Sequence, residues 1–186
     1  MNKLTSLTKR NIKLYFESKS NVFFSMLAII ILTGLHFIIF RKMNADSFLS
    51  AGFPIDKKWA LWFSDCLMLS SLIPIGAVTI SITSLGQIVT DKERNIINDF
   101  YVAPVSRNTL LISYLLSSFT IGTIVLMGFI LFFEIYLIFM YGISFTIIQF
   151  FAILGVMLLS LLLGNSLVML IVSFVKREQA MGAIGT

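Results

Sequence analysis

The amino-acid sequence predicts an all-α polytopic membrane protein. Three observations carry that class: the balance of apolar to charged residues, the length of the apolar runs, and the side on which basic residues collect. Hydrophobic residues make up 58% of the 186-residue chain and charged residues 12%, with a mean hydropathy of +0.95, whereas an ordinary soluble domain is about 25% charged. The apolar runs match the roughly 20 residues that a helix needs to cross a hydrocarbon core about 30 Å thick. The predicted layout is an N-terminal interfacial amphipathic helix over 4–18, then four transmembrane helices over 22–40, 61–89, 109–141 and 145–175.

The first segment is basic, with Lys3, Lys9, Arg10, Lys13 and Lys19 against Glu17. At about 100° per residue, Leu4, Leu7, Ile12, Leu14, Tyr15 and Phe16 share one broad face. Lys9, Arg10, Lys13 and Glu17 oppose them, and Asn11, Ser18 and Lys19 intrude on the apolar side. Such a helix lies in the membrane interface and is drawn to anionic lipid; the alternative is a frayed basic tail.

The run 22–40 carries no formal charge, and Arg41-Lys42 follows it rather than a small-residue cleavage site, so it is a retained span and not a signal peptide. His36 is its one ionisable group, either a relay or substrate contact or a neutral imidazole near the interface. Residues 41–60 are expected to form a mixed loop, closed by Trp59 and Trp62 as an aromatic belt. The second span contains Pro74, which removes a helix hydrogen bond and predicts a kink. Asp65 lies in its first turns, at a depth similar to His36. The third run either projects past the membrane or breaks near Glu134, and Tyr141-Gly142-Ile143-Ser144 forms the following turn. Small residues four apart (Ala77 and Ser81, Ser118 and Gly122, Ser160 and Gly164) suit close helix approach. After Lys176-Arg177-Glu178 the chain turns apolar again over 179–186, which predicts the start of a fifth span and a chain cut short at its C-terminus.

Lysine and arginine collect in the N-terminal segment, in 90–108 and in 176–178, against Arg41, Lys42, Lys57 and Lys58 on the other side. The positive-inside rule then makes the N-terminus cytoplasmic.

Several function classes lack their residues. No Gly-x-x-x-x-Gly-Lys-Ser/Thr loop is present to cradle nucleotide phosphates. One His and one Cys cannot build a standard zinc site. No carboxylate pair lies at helical spacing within a span, as a proton- or sodium-driven carrier would favour. The 18 phenylalanines sit mostly in apolar runs and not beside a basic face, which argues against nucleic acid. No catalytic residue, metal or cofactor is expected.

The polar segment 90–108 stands apart. Thr90 and Glu93 have capping-box spacing, which predicts a helix starting there. Ile96, Ile97, Phe100 and Tyr101 share one face of that helix, and Pro104 ends it. Ser106 or Asn108 can cap the next span. A solvated loop would not need four large apolar residues on one face, so the segment is expected to dock onto a partner.

The run from Asp91 to Arg107, with Glu93, Ile97, Phe100 and Pro104-Val105-Ser106-Arg107, resembles the segment between the second and third helices of ABC-2 type permeases, the membrane subunits of bacterial ABC exporters. The opening Thr8 to Phe16, leading to Val22-Phe23-Phe24-Ser25, is similar to that family's interfacial helix and first span. Asn95 departs from the family, which often has glycine there. The resemblance implies a six-helix subunit of the bacterial plasma membrane, of which this chain is a partial transmembrane domain over 1–186. It also implies a homodimer or heterodimer with a second permease, membrane lipid around it, and a separate ABC ATP-binding subunit. This chain would have no ATPase site of its own. Asp91, Glu93, Arg94, Ile97, Phe100, Tyr101, Pro104 and Arg107 would be the ATPase-coupling residues. The cargo implied is a drug, peptide antibiotic, lipid or polysaccharide. The competing classes are a secondary carrier or channel outside the ABC group and a membrane scaffold without transport.

Overall fold

The computed structural model describes residues 3–52, 55–97 and 106–175. Its elements are α1 (Lys3–Glu17), α2 (Lys19–Leu35), a π-helical turn (His36–Phe40), α3 (Arg41–Ser50), α4 (Lys57–Glu93), α5 (Arg107–Tyr141) and α6 (Ile147–Phe174), with no strand among the described residues. The stretches Lys19–Ser50, Lys57–Glu93, Arg107–Tyr141 and Ile147–Phe174 are each long and apolar enough to cross a membrane. The protein is an all-α polytopic membrane protein.

Helix α4 is the centre of the bundle, packing against α2, α3, α5 and α6. At 37 residues it is roughly 55 Å long, well beyond the hydrocarbon thickness, so its ends reach the polar zones. It passes through Pro74 without interruption. One apolar core joins Ile29, Leu72, Ile73, Leu126, Ile130 and Leu161 across four helices; a second joins Leu85, Ile88, Val89, Leu110, Val168 and Val172. Close approach uses small residues. A Cβ on Gly164 would sit 3.3 Å from the Ala77 carbonyl oxygen, and one on Gly122 would collide with the Leu161 side chain. Between them Ser84 Oγ meets Ser118 Oγ at 2.6 Å, and Ser118 donates to Asn165 Oδ1 at 2.5 Å, so α4, α5 and α6 share one buried polar link.

One difference from expectation concerns a helix end. The polar stretch after Phe40 is not a loop, because the helix continues to Ser50. Ala45 is buried there and Phe48 stacks edge-on against Phe63 of α4, so packing overrides the polar composition. Helix α5 is continuous past Glu134 and ends at Gly142, which takes the left-handed conformation (φ 71°) that a glycine cap accommodates.

Helix α1 lies against α5 and touches α2. Its buried positions are Thr8, Asn11 and Tyr15, spaced one turn apart. The intruding Asn11 therefore belongs to the packed face, and Tyr15 Oη meets Ser25 Oγ of α2 at 2.6 Å.

Candidate functional site

The polar segment expected to dock onto a partner begins where α4 ends, and that end differs from the expected capping box. Thr90 is inside α4, with its hydroxyl bonded back to the Gly86 carbonyl at 3.4 Å. Asp91, Lys92 and Glu93 form the helix's last turn. The stop is at Arg94 and Asn95: the Arg94 N–H bonds the Thr90 carbonyl at 3.0 Å and the Asn95 N–H bonds that of Lys92 at 3.1 Å. Asn95 has φ 59°, the left-handed conformation that glycine adopts most easily and asparagine next. This accounts for asparagine at the turn. Lys92, Glu93, Arg94 and Asn95 are exposed, and Ile97 is buried beyond the turn. Phe100, Tyr101 and Pro104 lie outside the described residues, as does 179–186. Where the chain is described again, Ser106 caps α5 by accepting from the Thr109 N–H at 3.2 Å, and Arg107, exposed, is the first helical residue.

Asp91 faces inward and is fully buried. Arg10 of α1 grips it with Nη1 at 3.0 Å and Nη2 at 3.3 Å. Gln87 Nε2 donates from one turn earlier at 2.8 Å, and the Tyr114 hydroxyl of α5 donates to Oδ2. A buried carboxylate is tolerated only when charge and hydrogen bonds compensate it; here donors from three helices do so. Burial works against the Arg10 charge, but the hydrogen bond and charge of Asp91 outweigh it and lift the guanidinium pKa above its ordinary value. Arg10 is thus not part of a purely solvated face.

A second buried carboxylate lies near the opposite end of α4. Asp65 is fully buried. His36 Nε2 is 2.9 Å from its Oδ1, while Tyr136 and Tyr141 donate to Oδ2 at 3.0 and 2.5 Å. Arg41 Nε sits 3.2 Å from Oδ1, close enough for an ion pair but outside hydrogen-bonding alignment, and Arg41 Nη2 donates to Tyr141 Oη at 2.7 Å. The π-helical turn makes this possible. Five residues of α-helix would rotate Arg41 roughly 140° from His36; the Arg41 N–H instead bonds the His36 carbonyl five residues back, which brings both onto one face. The sequence places His36 and Asp65 at similar depth, but the parts played by Arg41, Tyr136 and Tyr141 carry no local signal.

The family model described as "ABC-2 type transporter" matches residues 2–186. The chain belongs to the ABC-2 type transporter family. No match was found among curated proteins or solved structures. As an ABC-2 type chain with four apolar helices, it is an integral membrane protein and a permease of an ABC transporter, a type of assembly that includes an ATP-binding partner. Members of the family are transport subunits without an ATPase site of their own.

Proposed function

We propose that this ABC-2 type chain is the permease subunit of an exporter driven by ATP hydrolysed on a separate subunit, and that the force enters through residues 91–107. The anchoring of Asp91 beside an exposed turn carries this reading. Lys92, Glu93 and Arg94 lie at the surface, one to three residues from a carboxylate tied to α1, α4 and α5. A partner pressing on Glu93, Arg94, Ile97, Phe100, Tyr101 or Arg107 would move three helices at once. Asp91 then acts as the inward anchor of the segment and not as a docking contact. The setting is a bacterial plasma membrane with the N-terminus in the cytoplasm, and the assembly pairs this chain with a second permease, identical or different. The cargo class is a drug, peptide antibiotic, lipid or polysaccharide.

The test is transport and ATPase activity of the reconstituted complex. Glu93→Ala and Phe100→Ala are expected to leave membrane insertion intact while lowering substrate-stimulated ATPase and transport at least fivefold. Normal transport in both variants would remove the assignment.

A further inference from the structure

A cleft of about 340 Å³ opens between α4 and α6, and its lining falls in two matched stripes. Trp62, Cys66 and Ile73 line it from α4; Phe145, just before α6, and Gln149, Ala152 and Val156 of α6 line it from the other side. Both stripes follow helical spacing, and both run from the α3–α4 side of the bundle inward. Trp62 to Ile73 covers roughly 16 Å of helix, close to the ~15 Å of hydrocarbon in one leaflet. The slot is therefore one leaflet long, runs along the helices, and has apolar walls.

Most of its polar features gather at one end, and deeper in, the Ser70 hydroxyl is turned back to the Leu67 carbonyl at 2.7 Å. Trp59 and Trp62 stack edge to face at the polar end, at the depth where an aromatic belt meets the headgroups. Trp62 Nε1 is itself buried, with no hydrogen-bond partner among the described residues, so Trp62 offers the slot its apolar ring. Lys58 is exposed four residues before Trp62, so it stands one turn above the mouth on the same helical face. A lysine at this height reaches a headgroup phosphate while its stem covers apolar surface.

We propose that the cleft binds one acyl chain of an anionic phospholipid from the leaflet on the α3–α4 side, with the phosphate beside Lys58 and the chain against the Trp62 ring. The slot length sets one chain from one leaflet, the apolar walls exclude a polar ligand, and the cation at the mouth selects the headgroup charge. This site is separate from residues 91–107 and does not depend on how ATP hydrolysis is coupled.

The experiment is mass spectrometry of the intact permease complex released from detergent after incubation with equal amounts of phosphatidylglycerol and phosphatidylcholine. One phosphatidylglycerol is expected to be retained per permease chain, with at least fivefold preference. Lys58→Gln is expected to reduce the preference below twofold, and Ala152→Phe, which fills the slot, to reduce retention at least fivefold. Unchanged retention in Ala152→Phe, or unchanged preference in Lys58→Gln, overturns the proposal. A measurement on the unmodified protein guards against misfolding of the variants. Phosphatidylglycerol should slow alkylation of Cys66 by a small maleimide at least threefold relative to lipid-free detergent. Equal rates, or protection of Cys66 by a second copy of the chain regardless of lipid, also overturn it.

Discussion

Arg10 Nη1 lies 3.0 Å from Asp91 Oδ2 across 81 residues of chain, and this contact fastens the first helix to the C-terminal end of α4. Gln87 and Tyr114 complete the carboxylate's surroundings. Displacing the end of α4 therefore drags α1 and α5 or leaves a buried charge uncompensated.

Arg10→Ala should destabilise the protein by about 1–3 kcal/mol, since Asp91 would remain buried with neutral donors only. Arg10→Lys should recover part of this, because a single ammonium keeps the charge but not the two-nitrogen grip. Thermal unfolding in detergent checks the order wild type, Lys, Ala. The coupling reading adds that Arg10→Ala lowers substrate-stimulated ATPase more than basal ATPase.

The turn at Asn95 separates a backbone effect from a side-chain effect. Asn95→Gly should be neutral or slightly stabilising. Asn95→Val should cost about 1–2 kcal/mol, because a β-branched residue resists the left-handed conformation. Equal melting temperatures for the two variants would contradict the φ of 59° at this position.

At the other end of α4, Asp65→Ala should cost about 3 kcal/mol or more, since it strands the Arg41 charge and leaves His36 and both tyrosines without their acceptor. Tyr141→Phe removes hydroxyl contacts to Asp65 and Arg41 and should cost about 1.5–3 kcal/mol. In the double variant the two effects should fall short of additivity, which a double-mutant cycle on unfolding midpoints measures.

Two glycines contrast in their neighbours. A Cβ on Gly76 would meet Ile29 Cδ1 and Leu126 Cδ2 at 2.9 Å, both movable side-chain tips, whereas a Cβ on Gly164 would meet the Ala77 backbone carbonyl. Gly76→Ala should therefore change stability by under about 1 kcal/mol, with better helix propensity offsetting the adjustment. Gly164→Ala should be destabilising by about 1–2 kcal/mol, because α4 and α6 must separate. A thermal-shift comparison of the pair tests the ranking.

Much of the fold was legible in the sequence because lipid imposes simple rules. Run length marks the helices that can span, Ser106 is a recognisable N-cap, and Gly142 marks the turn after α5. What escaped was pairing across the chain. The Arg10–Asp91 and Tyr141–Asp65 partners are 81 and 76 residues apart, and no local periodicity encodes such distances. The Thr90–Glu93 spacing misled for a different reason. A four-residue pattern that suits the start of a helix also fits inside the last turns of one, and only Asn95 beyond it distinguishes the two. Likewise, Arg41 to Ser50 is polar enough for a loop, and its helicity comes from packing on α4 and from the π-helical turn before it.

The arrangement around α4 has a consequence for biosynthesis. Arg10 precedes Asp91 in the chain, and His36 and Arg41 precede Asp65. As the polypeptide leaves the ribosome, each basic group is made before the acid it neutralises. The tyrosines that complete both clusters, Tyr114, Tyr136 and Tyr141, arrive last with α5. Both carboxylates thus emerge with their counter-charges already synthesised, and the later helix closes both clusters.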